Sequence, residues 1–380
     1  MRALIATVDY PPIEGGIGSL SLQLARELSR EGHEVTVVAP YFPDMEDFDA
    51  AEPYTVVRFR GYHWGLLRIV PFLFAAWRRA RKTDALFAMD NTYGGMLGWT
   101  MRLLFRTPYV TFAYAYEFMK YARRPIMRRV LRAIYKRSNK VIAISNYTRD
   151  TLLRFGVDEA RIVVVFPGAP EKCEVSLQHI DELRHLLVLD EGPIILAVGR
   201  MIERKGQVRL VRAMPRILKS EPKAQLVLVG RGPEMSAILR AAYRLGVREH
   251  VCVPGPLPDE DVAALHAMSD VFALPVGESG NGQVEGFGLV FVEAQAHGTP
   301  VVAGRSGGVG DAVLDGETGL LVEPDDIEGL ADAIVRLIQD KELAGRLRDA
   351  ALHRVRAQLN WRVFTHRVLE AAFPPEKGPR

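Results

Sequence analysis

The sequence is poor in cysteine and has no long apolar run that is free of charge. Its two cysteines, Cys173 and Cys252, lie far apart without a Cys-x-x-Cys spacing, which argues against a disulfide framework and a zinc site. The longest nearly apolar stretch, from about residue 96 to 116, contains Arg102 and Arg106. Charged side chains are costly at bilayer depth, so we expect no membrane-spanning helix.

The N-terminal residues MRALIATVDYPP also lack the features of a signal peptide. Their apolar run is short and is interrupted by Asp9, which predicts a first core strand. Together with the scarcity of cysteine, this pattern predicts a cytoplasmic protein.

Length and charge describe an ordinary globular chain with an uneven distribution of basic residues. A chain of 380 residues exceeds the size of a single comfortable core, so about two domains are expected. The net charge is only +3, but residues 1–180 contain 25 basic and 18 acidic side chains. The excess of positive charge therefore lies in the first half.

Short β-branched runs alternate with helical patterns along the whole chain. The first three segments, RALIATV, SLQLARELSREG and EVTVVAP, predict a strand, an amphipathic helix and a strand in a βαβ unit. The same alternation recurs to PVVAG and predicts an α/β fold of parallel sheets with helices on both faces. The strand signal lapses between Pro167 and Pro193, which indicates a domain boundary, and an amphipathic helix follows Asn360.

The first strand-to-helix junction, DYPPIEGGIGSL, is rich in glycine. Gly15, Gly16 and Gly18 would place bare amide groups at a helix N-terminus, where a phosphate binds well. Relief of backbone strain at the start of the helix is the alternative explanation. A dinucleotide site is disfavoured, because the third glycine of that motif is missing and the second strand ends at Pro40 instead of an acidic residue.

Two later segments carry charged residues at places where a parallel sheet presents ligands. In GRMIERKG, Arg200 follows a strand and Lys205 precedes a helix, so the two cations could neutralise a diphosphate or form a solvated basic loop. In VEGFGLVFVEAQA, a glycine-rich loop leads into a helix that is expected to carry Glu285 and Glu293. Glu293 would lie among apolar residues and accept hydrogen bonds from ligand hydroxyls, with a structural ion pair as the alternative.

Four blocks, EGGIGSL, GRMIERKG, EGFGLVFVE and SGGVGDAVLDGETGLLVEPDD, together resemble the retaining glycosyltransferases of family GT4. The resemblance implies a GT-B fold: two facing Rossmann-like domains, 1–172 plus a returning helix 362–380 for the acceptor, and 173–361 for the nucleotide sugar. It implies transfer of a hexosyl group from a UDP- or GDP-sugar to a glycan, lipid-linked or small-molecule hydroxyl, with no cofactor and no bound metal.

The resemblance also implies roles for individual residues. Donor-diphosphate contacts would come from the glycine loop and from the two cations, the sugar would lie beside Glu285, and the ribose would bind Glu293. Backbone contacts with the donor would come from Phe287, Gly288 and Leu289. Many relatives have a histidine where this chain has Tyr114, so the implied substitutes for that histidine are the Tyr114 hydroxyl and Glu117; simple strand residues are the alternative.

The segment KYARRPIMRRVLRAIYKRSNK contains nine basic residues and no acidic one. Its apolar residues recur at helical spacing, which predicts a basic amphipathic helix. Arg128, Arg129 and Arg132 could rest on the inner face of an anionic membrane, near a lipid-linked acceptor. A solvated face over an ordinary core stripe is the alternative, and no motif supports nucleic-acid binding.

Two other functions remain open at this point. A sugar-nucleotide 2-epimerase shares the GT-B fold but needs no acceptor. A noncatalytic peripheral membrane module would use the basic helix alone, with purely structural glycine loops. The oligomeric state is not indicated by the sequence.

Overall fold

The computed structural model describes residues 1–13, 15–114, 124–169, 174–280 and 282–373. Two compact units make up the chain: Met1–Pro167 with Trp361–Arg380, and Gly168–Asn360. These boundaries fall slightly before the predicted ones, at 172 and 361. The reason is local, since Ala169 already pairs with Asn360 and donates its N–H to the Leu359 carbonyl at 2.9 Å, both within the second unit.

The first unit contains a seven-stranded sheet in the order β3-β2-β1-β4-β5-β6-β7, and every paired strand is parallel. Its strands are β1 Arg2–Ala6, β2 Glu34–Pro40, β3 Thr55–Phe59, β4 Ala85–Ala88, β5 Tyr109–Ala113, β6 Val141–Ala143 and β7 Ile162–Val164. The strands are largely apolar because helices cover both faces of such a sheet. Leu4, Ile5, Phe87 and Phe112 are fully buried in this core.

The described helices of the first unit are α1 Gly16–Arg30, α2 Glu46–Ala51, α3 Ile69–Ala80, α4 Tyr93–Phe105, α5 Pro125–Arg137 and α6 Asn146–Phe155. The last described helix of the chain, Trp361–Ala372, packs against α1 and so belongs to this unit. Its Phe364 is fully buried and its ring lies 6.2 Å from that of Phe112. The predicted return of the C-terminal helix to the first domain is therefore confirmed.

The second unit contains a six-stranded parallel sheet in the order β10-β9-β8-β11-β12-β13. Its strands are β8 Ile194–Val198, β9 Gln225–Val229, β10 Val251–Gly255, β11 Val271–Leu274, β12 Val301–Gly304 and β13 Leu320–Val322. Its described helices are α7 Leu177–Leu186, α8 Gln207–Ser220, α9 Met235–Arg244, α10 Asp259–Met268, α11 Leu289–His297, α12 Val309–Ala312, α13 Ile327–Gln339 and α14 Lys341–Gln358, which makes Trp361–Ala372 α15. The predicted α/β class is confirmed.

Each sheet reverses its direction of growth at one point. In the first unit the reversal lies between β1 and β4, and in the second it lies between β8 and β11. Ligands of open parallel sheets bind at the carboxyl ends of the strands that flank such a reversal. The segments that follow β1, β4, β8 and β11 are therefore the expected positions of a ligand site.

Candidate active site

The glycine-rich segment after β1 leads directly into α1. The helix begins at Gly16, and its N-cap residue Gly15 has no side chain that could cap the first turn. Gly15 and Gly16 are exposed, and the first amides of a helix offer donors to an anion. Gly18 is buried, and a Cβ there would lie 3.0 Å from the Ile13 carbonyl oxygen, so this glycine permits close packing of the loop on the helix.

The segment after β8 forms a tight turn with four charged residues, three of them cations. Arg200 is exposed, and its carbonyl accepts a hydrogen bond from the Gln207 side chain at 3.1 Å. A short 3-10 helix, Glu203–Lys205, follows and ends at Gly206. Gly206 has a φ of +74°, and a Cβ there would lie 2.3 Å from the Pro275 carbonyl oxygen. Only glycine therefore allows this turn to lie against the end of β11.

Glu285 forms ion pairs with two cations of that turn. Its Oε2 lies 2.8 Å from the Nζ of Lys205 and also accepts a short hydrogen bond from the Arg204 guanidinium. All three side chains are largely buried, with 10 to 13% of each exposed. Burial alone would raise the pKa of Glu285, but the charges of Lys205 and Arg204 outweigh it and hold that pKa below its ordinary value. Glu285 is therefore a carboxylate at neutral pH.

The backbone of Glu285 is held as well as its side chain. Its carbonyl accepts the N–H of Gly308 at 2.8 Å. The neighbouring Gly307 has a φ of +54°, and a Cβ there would lie 2.1 Å from the same carbonyl oxygen. The glycine-rich segment before α12 thus positions Glu285.

The prediction that one helix carries both glutamates is wrong for Glu285. Helix α11 begins at Leu289, after Gly288 at a φ of +97°, so Glu285 lies in the preceding loop. A left-handed residue cannot continue a helix toward the N-terminus, which explains the late start. Phe287 and Gly288 are buried at this helix start, and Leu289 is partly exposed.

Glu293 lies on α11 and is partly buried. Burial raises its pKa to about 7, while the positive charge of Lys205 opposes this rise and the negative charge of Asp259 reinforces it. Lys205 therefore acts on both glutamates, and the second unit brings Lys205, Glu285 and Glu293 into one electrostatic neighbourhood. Their pKa values shift in opposite directions, so Lys205 interacts with one fixed carboxylate and with one carboxyl group that titrates near neutral pH.

Sequence reasoning missed Arg204, which contacts Glu285 as directly as Lys205 does. The available signal was its position beside Lys205 in ERKG, because a 3-10 turn can aim consecutive side chains at one acceptor. The N–H of Gly277, in the loop after β11, donates to the Arg204 carbonyl at 2.8 Å and fixes the turn.

The remaining predicted site residues belong to the first unit. Tyr114 follows β5 and is 9% exposed, whereas Glu117 lies outside the described residues. On α5, Arg128, Arg129 and Arg132 are exposed, but Leu131, Ile134 and Tyr135 of the same helix are buried in the core. Most of the apolar stripe of this helix therefore packs in the core, whereas Ile126 at the start of the helix is 75% exposed.

Two features are absent from the described residues. No group of three or more histidine, cysteine, aspartate or glutamate side chains is arranged there to hold a metal ion. Within the same ranges, no helix combines the length and apolar character that a bilayer crossing requires.

Comparison with known proteins gives matches over nearly the whole chain. The family model of glycosyl transferases group 1 matches residues 180–354, and that of Glycosyltransferase Family 4 matches residues 14–171. A GDP-mannose-dependent alpha-(1-6)-phosphatidylinositol monomannoside mannosyltransferase of Mycolicibacterium smegmatis is 31% identical over 97% of each chain. A D-inositol 3-phosphate glycosyltransferase of Nocardia farcinica is 30% identical over 94% of this chain and 84% of its own length.

A solved structure supports the fold. Anabaena HepE in complex with UDP and glucose superposes with a TM-score of 0.81 at 21% identity, covering 97% of this chain and 98% of its own. At this identity, the likeness concerns the two-sheet architecture alone.

Proposed function

Because the chain belongs to glycosyltransferase family 4 and is a hexosyltransferase that uses a nucleotide sugar, we propose that it transfers mannose from GDP-mannose to a lipid-linked inositol phosphate. The transfer retains the anomeric configuration. Support for the donor comes from the mannosyltransferase relatives, whose names specify GDP-mannose. Both groups of relatives, the mannosyltransferases and the inositol phosphate glycosyltransferases, act on an inositol that carries a phosphate.

The donor-binding part of this proposal rests on the ion cluster of the second unit. Arg200 and Lys205 neutralise the donor diphosphate, which becomes the leaving group as the sugar acquires positive charge. Glu285 lies beside the sugar, and Glu293 accepts hydrogen bonds from the ribose hydroxyls. The amides at the start of α11, from Phe287 to Leu289, contribute backbone contacts to the donor.

In this proposal the first unit supplies contacts to donor and acceptor. The exposed amides at Gly15 and Gly16 approach the diphosphate, and Gly18 supports that loop. The Tyr114 hydroxyl and Glu117 take the place of the family's histidine at the donor sugar. Arg128, Arg129 and Arg132 attract the anionic surface in which the acceptor is embedded.

The ion pairs of Glu285 suggest how the cluster responds to donor. Lys205 pairs with Glu285 at 2.8 Å, so neutralising a diphosphate draws Lys205 partly away from that carboxylate. Arg204 stays with Glu285 and keeps its buried charge paired. An unpaired buried charge is strongly destabilising, so this exchange of partners needs the second cation.

A transfer assay with the purified protein tests the proposal. GDP-mannose is supplied with vesicles that contain phosphatidylinositol or its monomannoside, and GDP release is compared with mannolipid formation and the anomeric configuration of the product. We expect α-mannolipid in amounts that match GDP release. Transfer from UDP-sugars but not from GDP-mannose would overturn the donor assignment, and conversion of the donor without any acceptor would indicate epimerisation.

The nature of the acceptor is tested separately with water-soluble D-inositol 3-phosphate. We expect slower transfer to this compound than to the lipid, because only the lipid is concentrated at a surface. Faster transfer to the soluble compound would assign a small-molecule acceptor and reject the lipid.

A further inference from the structure

Helix α3 is apolar on two opposite faces. Phe72, Ala76 and Ala80 are fully buried and pack into the core of the first unit. The outward positions are apolar too, although a surface helix normally exposes charged and polar side chains there. The apolar side chains on the outer face of such a helix are exposed to water unless an apolar partner covers them.

The outer face is largely exposed. Phe74 is 79% exposed, and Val70 is 64% exposed, one turn before it. Leu67, in the 3-10 turn Gly65–Arg68, is 70% exposed, and Trp64 just before that turn is 62% exposed. Contiguous exposed apolar surface of this kind marks a site of interaction with another molecule or with a membrane.

The end of α4 extends this surface. The ring of Trp77 on α3 lies 5.5 Å from the ring of Phe105 on α4, which joins the two helices side by side. Next to Phe105, the side chains of Leu103 and Leu104 are exposed. We call the exposed apolar residues of α3, of the turn before it and of this end of α4 the apolar surface.

The charges in the chain segment that carries most of the apolar surface have a single sign. No acidic residue occurs between Glu52 and Asp84, and the exposed side chains of that segment include five basic ones: Arg60, Arg78, Arg79, Arg81 and Lys82. A protein partner would need an acidic rim of matching shape, whereas an anionic bilayer offers both an apolar interior and a negative surface.

We propose that the apolar surface inserts into the interface of an anionic lipid bilayer, with the basic side chains resting on the lipid headgroups. This inference rests on the proposed function, because a lipid-linked acceptor must be met at a membrane. It moves the inserting element from α5, whose apolar stripe is mostly buried, to α3. The exposed arginines of α5 then add only long-range attraction.

Vesicle co-sedimentation of the full-length protein tests the insertion. Vesicles of phosphatidylcholine alone are compared with vesicles of phosphatidylcholine and phosphatidylglycerol. We expect the wild type to bind the mixed vesicles, and the double variant Val70→Ser, Phe74→Ser to bind them at least about tenfold more weakly. Arg78→Gln, Arg79→Gln, Lys82→Gln should remove the preference for the anionic vesicles.

The matched control is Leu177→Ser, Tyr243→Ser in the second unit, where both side chains are 80% exposed. This control should bind like the wild type. Equal binding by the α3 variant and the control would overturn the proposal. Conversion of a dimer to a monomer by the α3 variant, measured by sedimentation without lipid, would assign the surface to a second copy of the chain and would also overturn it.

A second measurement leaves the apolar side chains of α3 in place. Brominated lipids should quench the tryptophan emission of the unmodified protein, and Trp64→Phe should remove much of that quenching. Quenching that is equally strong in Trp64→Phe and in the wild type would contradict insertion at this surface. The absence of quenching in the wild type would contradict it as well.

Transfer assays separate this inference from the proposed function. With soluble D-inositol 3-phosphate as acceptor, the α3 variant should transfer mannose as fast as the wild type, and it should be slower only with vesicle-bound acceptor. Vesicle binding without any mannose transfer would refute the function and leave the insertion standing. Transfer to vesicle-bound acceptor that is equally fast in both proteins would refute the insertion alone.

Discussion

At the residue scale, the surroundings of Glu285 suggest different roles for the adjacent cations Arg204 and Lys205. Lys205 and Arg204 both contact one carboxylate oxygen of Glu285. Only one of them is required to neutralise a phosphate, and a lysine is the more mobile of the two because it is a compact charge on a flexible stem. We therefore assign Arg204 as a positioning residue that acts through Glu285.

Arg204→Gln is expected to lower donor affinity by about tenfold, because Lys205 must then leave a buried carboxylate that has no other cation. The pKa of Glu285 should also rise, so the acidic limb of the activity profile should move to higher pH. Calorimetry with GDP-mannose and a pH profile of transfer measure both effects.

Two comparisons make this result specific. Arg204→Lys should restore much of the affinity, and Arg212→Gln, an exposed arginine on α8, should have no effect. A pH profile that is unchanged in Arg204→Gln would show that Arg204 serves the fold and does not position Glu285.

A second prediction concerns Glu293 and the pH dependence of the free energy of unfolding. Its pKa is about 7 in the folded protein, whereas its ordinary value is 4.5. Between pH 4.5 and pH 7, this group therefore binds fewer protons in the unfolded chain than in the folded one. The contribution of this group to the free energy of unfolding therefore falls as pH rises from about 4.5 to 7. Glu293→Gln should stabilise the free protein near pH 8 by on the order of 2 kcal/mol.

Urea denaturation near pH 8 and near pH 5 measures this difference, and most of the gain should vanish at the lower pH. The surface substitution Glu249→Gln is the control and should be neutral at both. The same Glu293→Gln variant should lose donor affinity, since a neutral amide accepts fewer hydrogen bonds from ribose hydroxyls. A variant that is no more stable than the wild type near pH 8 would contradict the raised pKa.

At the scale of elements, the turn after β8 depends on one glycine. Gly206→Ala combines a left-handed φ with a Cβ placed 2.3 Å from the Pro275 carbonyl oxygen, so the turn that carries Arg204 and Lys205 must move. We expect a loss of donor affinity of at least about tenfold, since small displacements of charged groups weaken a preorganised site.

Gly246→Ala is the matched control for this turn. Gly246 has a φ of +67°, but nothing lies within 4 Å of a Cβ there. Strain of about 1 kcal/mol should be its only cost, with unchanged donor affinity. Equal donor affinity in the two variants would mean that contact with the end of β11 does not position the cations.

Comparison of the strands shows which parts of the two sheets could be predicted from the sequence. Runs such as ALFA and VFAL are apolar at every position, which predicts buried parallel strands, and the structure confirms them as β4 and β11. The sequence analysis did not single out β3, whose TVVRF run is partly exposed at the sheet edge, or the three-residue β13. Edge strands and very short strands carry a weaker hydrophobic pattern.

Other features could not be predicted because they depend on tertiary contacts. The loop position of Glu285 follows from the left-handed conformation of Gly288, which the sequence permits but does not require. The exposure of Phe74 depends on which face of α3 meets the core, and both faces are apolar. For α5 the sequence left open a core stripe and a membrane face; Leu131 and Ile134 are buried in the core, and Ile126 at the helix start is exposed.

At the scale of the whole molecule, the chain leaves the first unit after Pro167 and comes back to it at Trp361. The returning helix α15 packs on α1, and the first turn of α1 belongs to the proposed donor-binding loop. Stability of the C-terminal helix is therefore coupled to the start of the chain. A fragment that ends at Asn360 would lack this support for α1.

Phe364→Ala tests this coupling in the full-length protein. Phe364 is fully buried, and its ring lies 5.6 Å from the ring of Trp361 on the same helix as well as beside Phe112. Removing a buried phenylalanine costs about 3–5 kcal/mol, whereas Leu369→Ala, at a partly exposed position of α15, should cost less. Hydrogen–deuterium exchange should become faster in peptides from α1 and α15 and stay unchanged in α8, because local unfolding affects the contacts of the missing ring first. Equal acceleration in α1 and α8 would instead show that the two units unfold together, and the C-terminal helix would then stabilise the whole chain.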